Sequence, residues 1–92
     1  MQIGIPAEIA ANETRVAATP ETVKKLVAGG NTVLVQSGAG KLSAITDTAF
    51  ADAGAKIVGT AQDAYNSDII LKVRAPQAEE IGLIKEGATV IA

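Results

Sequence analysis

The chain has 92 residues, room for one domain and not for two. Its formal net charge is −2 with no Lys/Arg cluster, which argues against nucleic-acid binding through a basic surface. It has no cysteine and no histidine, so disulfides, Cys/His metal sites and Cys- or His-based nucleophilic or acid–base chemistry are excluded for these residues.

Apolar residues make up 48% of the chain, near the globular norm, and no apolar run is long enough to span a bilayer. The N-terminus lacks the basic stretch and apolar core of a signal peptide. The lack of cysteine is compatible with the cytosol.

Five short β-rich runs are predicted: Gln2–Ile5, Thr32–Gln36, Lys56–Val58, Asp68–Val73 and Thr89–Ile91. Each is apolar through its centre rather than strictly alternating, as in parallel strands covered on both faces. The stretch from Asn12 to Val23 lies in a long connection after the first run and ends in a well-formed helix start. Loops of this length in a small domain are functional or disordered. That stretch carries one arginine, two acids and an asparagine but little Gly or Ser, which predicts an ordered loop that holds polar groups in place.

Thr19 is a plausible N-cap, with Pro20 at the first helical position and Glu21 at the positive helix end. Val23, Leu26 and Val27 then form one apolar face, and Gly29-Gly30 ends the helix. A second helix is predicted from about Thr46 to Ala53, with Phe50 inward and Gly54 as its stop. Thr60-Ala61-Gln62-Asp63 resembles a capping box with Asp in place of Glu, opening a short third helix. A fourth helix is predicted from about Gln77 to Ile84.

Strand and helix alternate throughout. The expected fold is therefore α/β: an open, parallel, doubly wound sheet of the flavodoxin or Rossmann-like kind, with about five strands, formed by residues 1–92 as a single domain. Thr89-Val90-Ile91-Ala92 reads as a buried strand with no helix after it. The sheet is thus expected to be incomplete, the first part of a longer polypeptide.

Few residues carry chemistry. Gly38-Ala39-Gly40-Lys41 follows a strand and invites a phosphate-loop reading. It lacks the third glycine of a dinucleotide fingerprint, where Ser43 stands, and the P-loop residues at Val35 and Leu42. A tight turn using glycine for positive φ is the preferred reading, and no cofactor-binding or metal residue is assigned. Arg15 is the leading candidate for a ligand contact. Its loop opens at the carboxyl edge of the sheet, where such folds bind ligands, and a guanidinium there can grip a carboxylate. The alternative is an ion pair with Glu8 or Glu13 that only pins the loop. Lys72 and Arg74 leave the fourth strand at i and i+2, toward one face. They either line the same cleft or blunt a solvated strand end. Tyr65 and Phe50 read as core or anchoring residues. Glu79, Glu80 and Glu86 read as solvated charges.

Asn12-Glu13-Thr14-Arg15-Val16-Ala17-Ala18-Thr19-Pro20, Ser37-Gly38-Ala39-Gly40, Ala53-Gly54-Ala55 and Asp68-Ile69-Ile70-Leu71-Lys72-Val73-Arg74-Ala75-Pro76 together resemble one superfamily. It is that of the N-terminal region of the alpha subunit of proton-translocating NAD(P) transhydrogenase and its relative alanine dehydrogenase. The resemblance implies a two-lobed NAD(H)-binding component of which this chain is most of the first lobe. It implies an NAD site in sequence beyond residue 92, and NADP on a partner component. It further implies a homodimer, the rest of the alpha subunit and a proton-conducting membrane component as partners, and a cytoplasmic place peripheral to the inner membrane. In alanine dehydrogenase, an arginine matching Arg15 and a lysine at the position of Arg74 hold the substrate acid. Arginine at 74 departs from that pattern and, with Thr14 and Ala17-Ala18-Thr19, leans toward transhydrogenase. Alanine dehydrogenase is the alternative. A stand-alone, non-catalytic flavodoxin-like interaction domain is a third.

Overall fold

Local signals set the elements before any tertiary contact does. In the computed structural model, which describes residues 1–92, strand β1 spans Gln2–Ile5 and helix α1 spans Pro20–Ala28. Thr19 caps α1, its Oγ1 accepting the Thr22 N–H at 3.3 Å. At the other end, the Asn31 N–H reaches the Leu26 carbonyl and the Gly30 N–H the Val27 carbonyl. That reversal needs the positive φ of +92° that glycine adopts without strain at position 30. Strand β2 follows at Thr32–Gln36, then a 3₁₀ turn at Lys41–Ser43 and helix α2 at Asp47–Asp52, capped by Thr46. Strand β3 is Lys56–Val58 and the short helix α3 is Ala61–Tyr65, with the Thr60 hydroxyl accepting the Asp63 N–H. Strand β4 is Ile69–Leu71, helix α4 is Ala78–Ile81 and strand β5 is Thr89–Ile91.

The five strands form one wholly parallel sheet in the order β3-β2-β1-β4-β5. The expected open α/β fold is therefore present. Successive strands build outward from β1 on one side, and the chain then returns to add β4 on the other. The gap between the carboxyl ends of β1 and β4 is thus the topological switch point, where loops diverge and a crevice opens.

Alternation along β1 and β2 sends Ile3, Ile5, Val33 and Val35 to one face, where they join Val23, Phe50 and Ala55 in the core. On the opposite face α3 packs against β1 and β2. It comes so close that a Cβ on Gly4 would stand 1.8 Å from the Ala64 carbonyl oxygen. Glycine at position 4 is therefore a requirement of helix–strand packing.

Two sequence expectations are corrected. The fourth strand is shorter than Asp68–Val73. Ladder bonds continue one residue past each end, from Asp68 N–H to the Gln2 carbonyl and from Lys72 N–H to the Ile91 carbonyl. Val73 then leaves the sheet because its N–H donates to the Glu8 carboxylate. The fourth helix stops at Ile81 rather than Ile84, since Gly82 weakens the helix and the chain continues in i→i+3 turns through Leu83 and Ile84. At the sheet edge, β5 forms as expected and is left bare, with Ile91 54% exposed, because no helix of these residues follows to cover it.

Candidate functional site

The loop after β1 is ordered by its own hydrogen bonds. The Glu13 N–H closes a turn onto the Ala10 carbonyl, with Asn12 at a φ of +65° that Asn tolerates better than most residues. The Ser43 hydroxyl holds the Thr14 carbonyl at 2.6 Å, and the Gln36 side chain accepts the Ala7 N–H at 2.8 Å. Val16, Ala17 and Ala18 then pack onto the core. The loop after β1 is thus held along its length, at Ala7, Glu13 and Thr14.

Glu13 stands near the middle of that loop. Its side chain is only 3% exposed, yet it carries charge, because two arginines share it. Arg15 donates from Nε to Oε2 and from Nη2 to Oε1, both at 3.0 Å, and its backbone N–H adds a bond at 2.9 Å. Arg74 donates from Nε to Oε1 at 2.9 Å. The Arg15 bonds first, then that of Arg74, hold the Glu13 carboxyl far below the usual carboxylate range. Both guanidiniums nonetheless face solvent, Arg15 at 68% and Arg74 at 55% side-chain exposure. Each keeps N–H groups that Glu13 does not use, since a guanidinium carries five. Two cations from the loops on either side of the switch point are therefore locked in place with donors to spare.

Beneath them lies a second charged group, entirely buried. Lys72 Nζ sits 3.1 Å from Glu8 Oε1 and 2.8 Å from Glu80 Oε2. The Tyr65 hydroxyl donates to Glu80 at 2.6 Å, and the Gln77 N–H donates to its other oxygen at 3.0 Å. Burial pushes the Glu80 carboxyl up, but the bonds from Gln77, Lys72 and Tyr65 outweigh it, and the net direction is down. Burial first, then Glu80, drives the Tyr65 phenol well above its ordinary value. No buried side-chain nitrogen or oxygen lacks a hydrogen bond. The group holds two carboxylates and one ammonium, so removing Lys72 would leave both carboxylates without a counter-charge in a dry site, which is the costly case for buried ion pairs.

The three residues singled out in sequence are thus divided. Arg15 and Arg74 meet on one carboxylate at the crevice, whereas the ammonium of Lys72 is turned inward and fully paired. Glu13, not Glu8, is the ion-pair partner of Arg15. Glu80 is not the solvated helix charge its helix-face position suggests, because Lys72 and Tyr65 enclose it. A sequence signal for it exists: Gln77 and Glu80 stand at capping-box spacing.

The glycine turn is placed elsewhere. Gly38 has a φ of +81°, as a tight turn requires, but Gly40 is glycine for want of space, its Cβ position lying 2.7 Å from the Ile45 carbonyl oxygen. The Gly38 N–H, which a phosphate would seek, donates to Asp47 at 2.9 Å, and the Ser37 hydroxyl donates to the same carboxylate at 2.6 Å. That anion seat is filled by the protein's own carboxylate, so these residues do not fit a dinucleotide pyrophosphate. A cavity of about 300 Å³ beside it is lined by Gly38, Lys41, Ala44 and Ile45–Asp47, none of them in the arginine cluster. No group of three or more Asp, Glu, His or Cys is placed to hold a metal ion.

A parallel sheet of order 3-2-1-4-5, with two arginines converging on one glutamate beside its switch point, defines a Rossmann-like lobe. Residues 4–92 match the model of the alanine dehydrogenase/PNT N-terminal domain, and the chain belongs to that family. The NAD(P) transhydrogenase subunit alpha of Haemophilus influenzae is 50% identical over 91 residues, covering 99% of this chain and 18% of that protein. The alanine dehydrogenase of Mycobacterium tuberculosis is 49% identical over 88 residues, covering 95% of this chain and 24% of that protein. The crystal structure of a transhydrogenase from Sinorhizobium meliloti superposes with a TM-score of 0.92 at 47% identity, covering 98% of this chain and 27% of its own. The chain thus spans about a quarter or less of the curated relatives it matches.

Proposed function

We propose that this chain is the first-lobe part of the NAD(H)-binding component of a proton-translocating NAD(P) transhydrogenase, with Arg15 and Arg74 forming the oxygen-gripping wall of the interlobe cleft. The observation that carries the reading is the pair of guanidiniums fixed on Glu13 from both sides of the switch point. Their spare N–H groups suit an electronegative ligand group, and their rigidity means little is lost when one binds. The 50% identity to a transhydrogenase alpha subunit, and arginine rather than lysine at 74, favour this enzyme. Lys72, with its charge internally matched, serves the scaffold of the cleft.

On this reading the NAD(H) site lies in sequence beyond residue 92, consistent with the Asp47-occupied turn here. NADP(H) sits on a partner component, the component dimerises, and hydride passes between the two nucleotides under proton flow through a membrane domain. The place in the cell is the cytoplasmic side, peripheral to the inner membrane. No helix of this chain is long and apolar enough to cross a membrane itself. Family membership favours an oxidoreductase lobe over a stand-alone interaction domain.

A second reading, an alanine dehydrogenase lobe, is favoured by the 49% identity to one such enzyme and by the match of a guanidinium pair to an amino-acid carboxylate. The full-length protein separates them. NADH-driven reduction of an NADP analogue, dependent on the NADP(H)-binding component, supports transhydrogenase. Alanine-dependent NADH formation by the protein alone overturns it in favour of the dehydrogenase.

A further inference from the structure

We infer that Glu8 is the positioning residue of the arginine pair: it sets the backbone from which Arg74 reaches the cleft. This rests on the reading that the pair grips a ligand, but its structural basis is separate. Val73 and Arg74 lie beyond Leu71, the last residue of β4 paired with β5, and beyond the single further ladder bond at Lys72. No strand neighbour directs them. The Glu8 carboxylate does so instead, accepting the Val73 N–H at 3.0 Å on Oε2 and the Arg74 N–H at 3.2 Å on Oε1. Glu8 belongs to the loop after β1, 65 residues away from Val73, so one carboxylate ties the two loops of the crevice together.

Glu8 is itself immobilised. Its side chain is buried, and the ammonium of Lys72 supplies the counter-charge. Lys72 is fixed by Glu80, and Glu80 by Tyr65 of α3 and the Gln77 N–H at the start of α4. An unbroken series of bonds thus runs from the helix under β1 to the backbone of Arg74, whose Nε then meets Glu13. The Glu8 side chain is 2% exposed and so does not itself meet solvent. Bidentate recognition requires a guanidinium held within about 10–20° of its working direction, and a loop end without strand partners does not supply that alone. A glutamine at position 8 has one acceptor oxygen and turns an NH₂ group toward donors, so the clamp loses at least one N–H and its match to Lys72.

The test uses the full-length protein, oxalate as the probe, calorimetry for affinity, and NMR of labelled arginine Nε–H groups. Glu8→Gln should weaken oxalate about tenfold, as should Arg74→Gln. The double variant should be no weaker than Arg74→Gln alone, because nothing is left to position. A product of about a hundredfold in the double variant, or unchanged affinity in Glu8→Gln, would overturn the inference. If the wild type does not bind oxalate, the gripping role fails, and the ligand-free spectrum decides the positioning role by itself. Glu8→Gln should move the Arg74 Nε–H signal more than that of Arg15, which shares Glu13 with it; an unmoved Arg74 signal rejects it. Should Glu8→Gln not fold, hydrogen exchange of the wild type decides. Slow Val73 and Arg74 amides support the clamp, and exchange at the rate of a free loop rules it out.

Discussion

Gly4→Ala is the most severe single-atom perturbation the fold offers. The added Cβ has no rotamer to escape into, because its position is fixed by the backbone. It would lie 1.8 Å from the Ala64 carbonyl oxygen and 2.8 Å from Ser67 Oγ. Real Cβ atoms do not approach below 3.0 Å, so β1 and the end of α3 must part by at least 1.2 Å, the difference between 3.0 and 1.8 Å. Tyr65 is the last residue of α3, and its 2.6 Å bond to Glu80 cannot survive such a shift unaltered. Overpacking costs about 1–3 kcal/mol and weakening a buried bond to a charged group about 1.5–3 kcal/mol, so a loss of about 4 kcal/mol is expected. For a domain of this size that is a large share of a total of roughly 5–10 kcal/mol. At about 5 °C per kcal/mol the melting temperature should fall by about 20 °C. Tyr65 is the one tyrosine and the chain has no tryptophan, so tyrosine fluorescence in urea reports on this contact directly. Gly82→Ala, with nothing within 4 Å of its Cβ position, is the control and should change stability by less than about 1 kcal/mol. If Gly4→Ala unfolds within about 1 kcal/mol of the wild type, the close-approach argument is wrong.

Arg15→Ala in the full-length protein should lower ligand affinity or turnover more than melting temperature, since its guanidinium is largely exposed; early unfolding with normal kinetics would favour a purely structural ion pair. Stability should fall on acidification below the ordinary glutamate value of 4.5, because the Glu13 and Glu80 carboxyls are depressed in the folded state and must take up protons as it unfolds. With no histidine, melting temperature should be flat between roughly pH 5.5 and 7, and a steep slope there would contradict the assignment. The 92-residue chain alone should self-associate through β5, whose outer edge is unpaired and whose Ile91 is 54% exposed. Sedimentation should show Ile91→Lys reducing this, and a strictly monomeric wild type would refute it.

What was legible in sequence was what depends on near neighbours. Thr19 and Thr60 marked two helix starts because capping is a bond across three residues. The alternation of elements gave the parallel sheet. The loop of Arg15 and the exit of β4 at Arg74 placed both guanidiniums at one sheet edge. The rest depends on partners far apart in the chain. Glu80 meets Tyr65 across 15 residues, and Glu8 meets Arg74 across 66. A helix-face glutamate looks the same in sequence whether water or a buried lysine satisfies it. The roles of Gly38 and Gly40 were likewise indistinguishable, one governed by φ and the other by the side chain of Phe50 and the backbone of Ile45.

The strand order also makes the crevice a late and separable part of the molecule. The main core gathers under α1 and α2 against β1, β2 and β3, drawn mostly from the first 60 residues. The contact of Glu13 with Arg74 joins positions 61 residues apart and exists only while β4 is docked beside β1. Opening of the β4–β5 margin would therefore dismantle the arginine pair while that core stays folded. A ligand bridging Arg15 and Arg74 acts as a staple on this margin, and by mass action it must slow amide exchange in β4 and β5 far more than in β2.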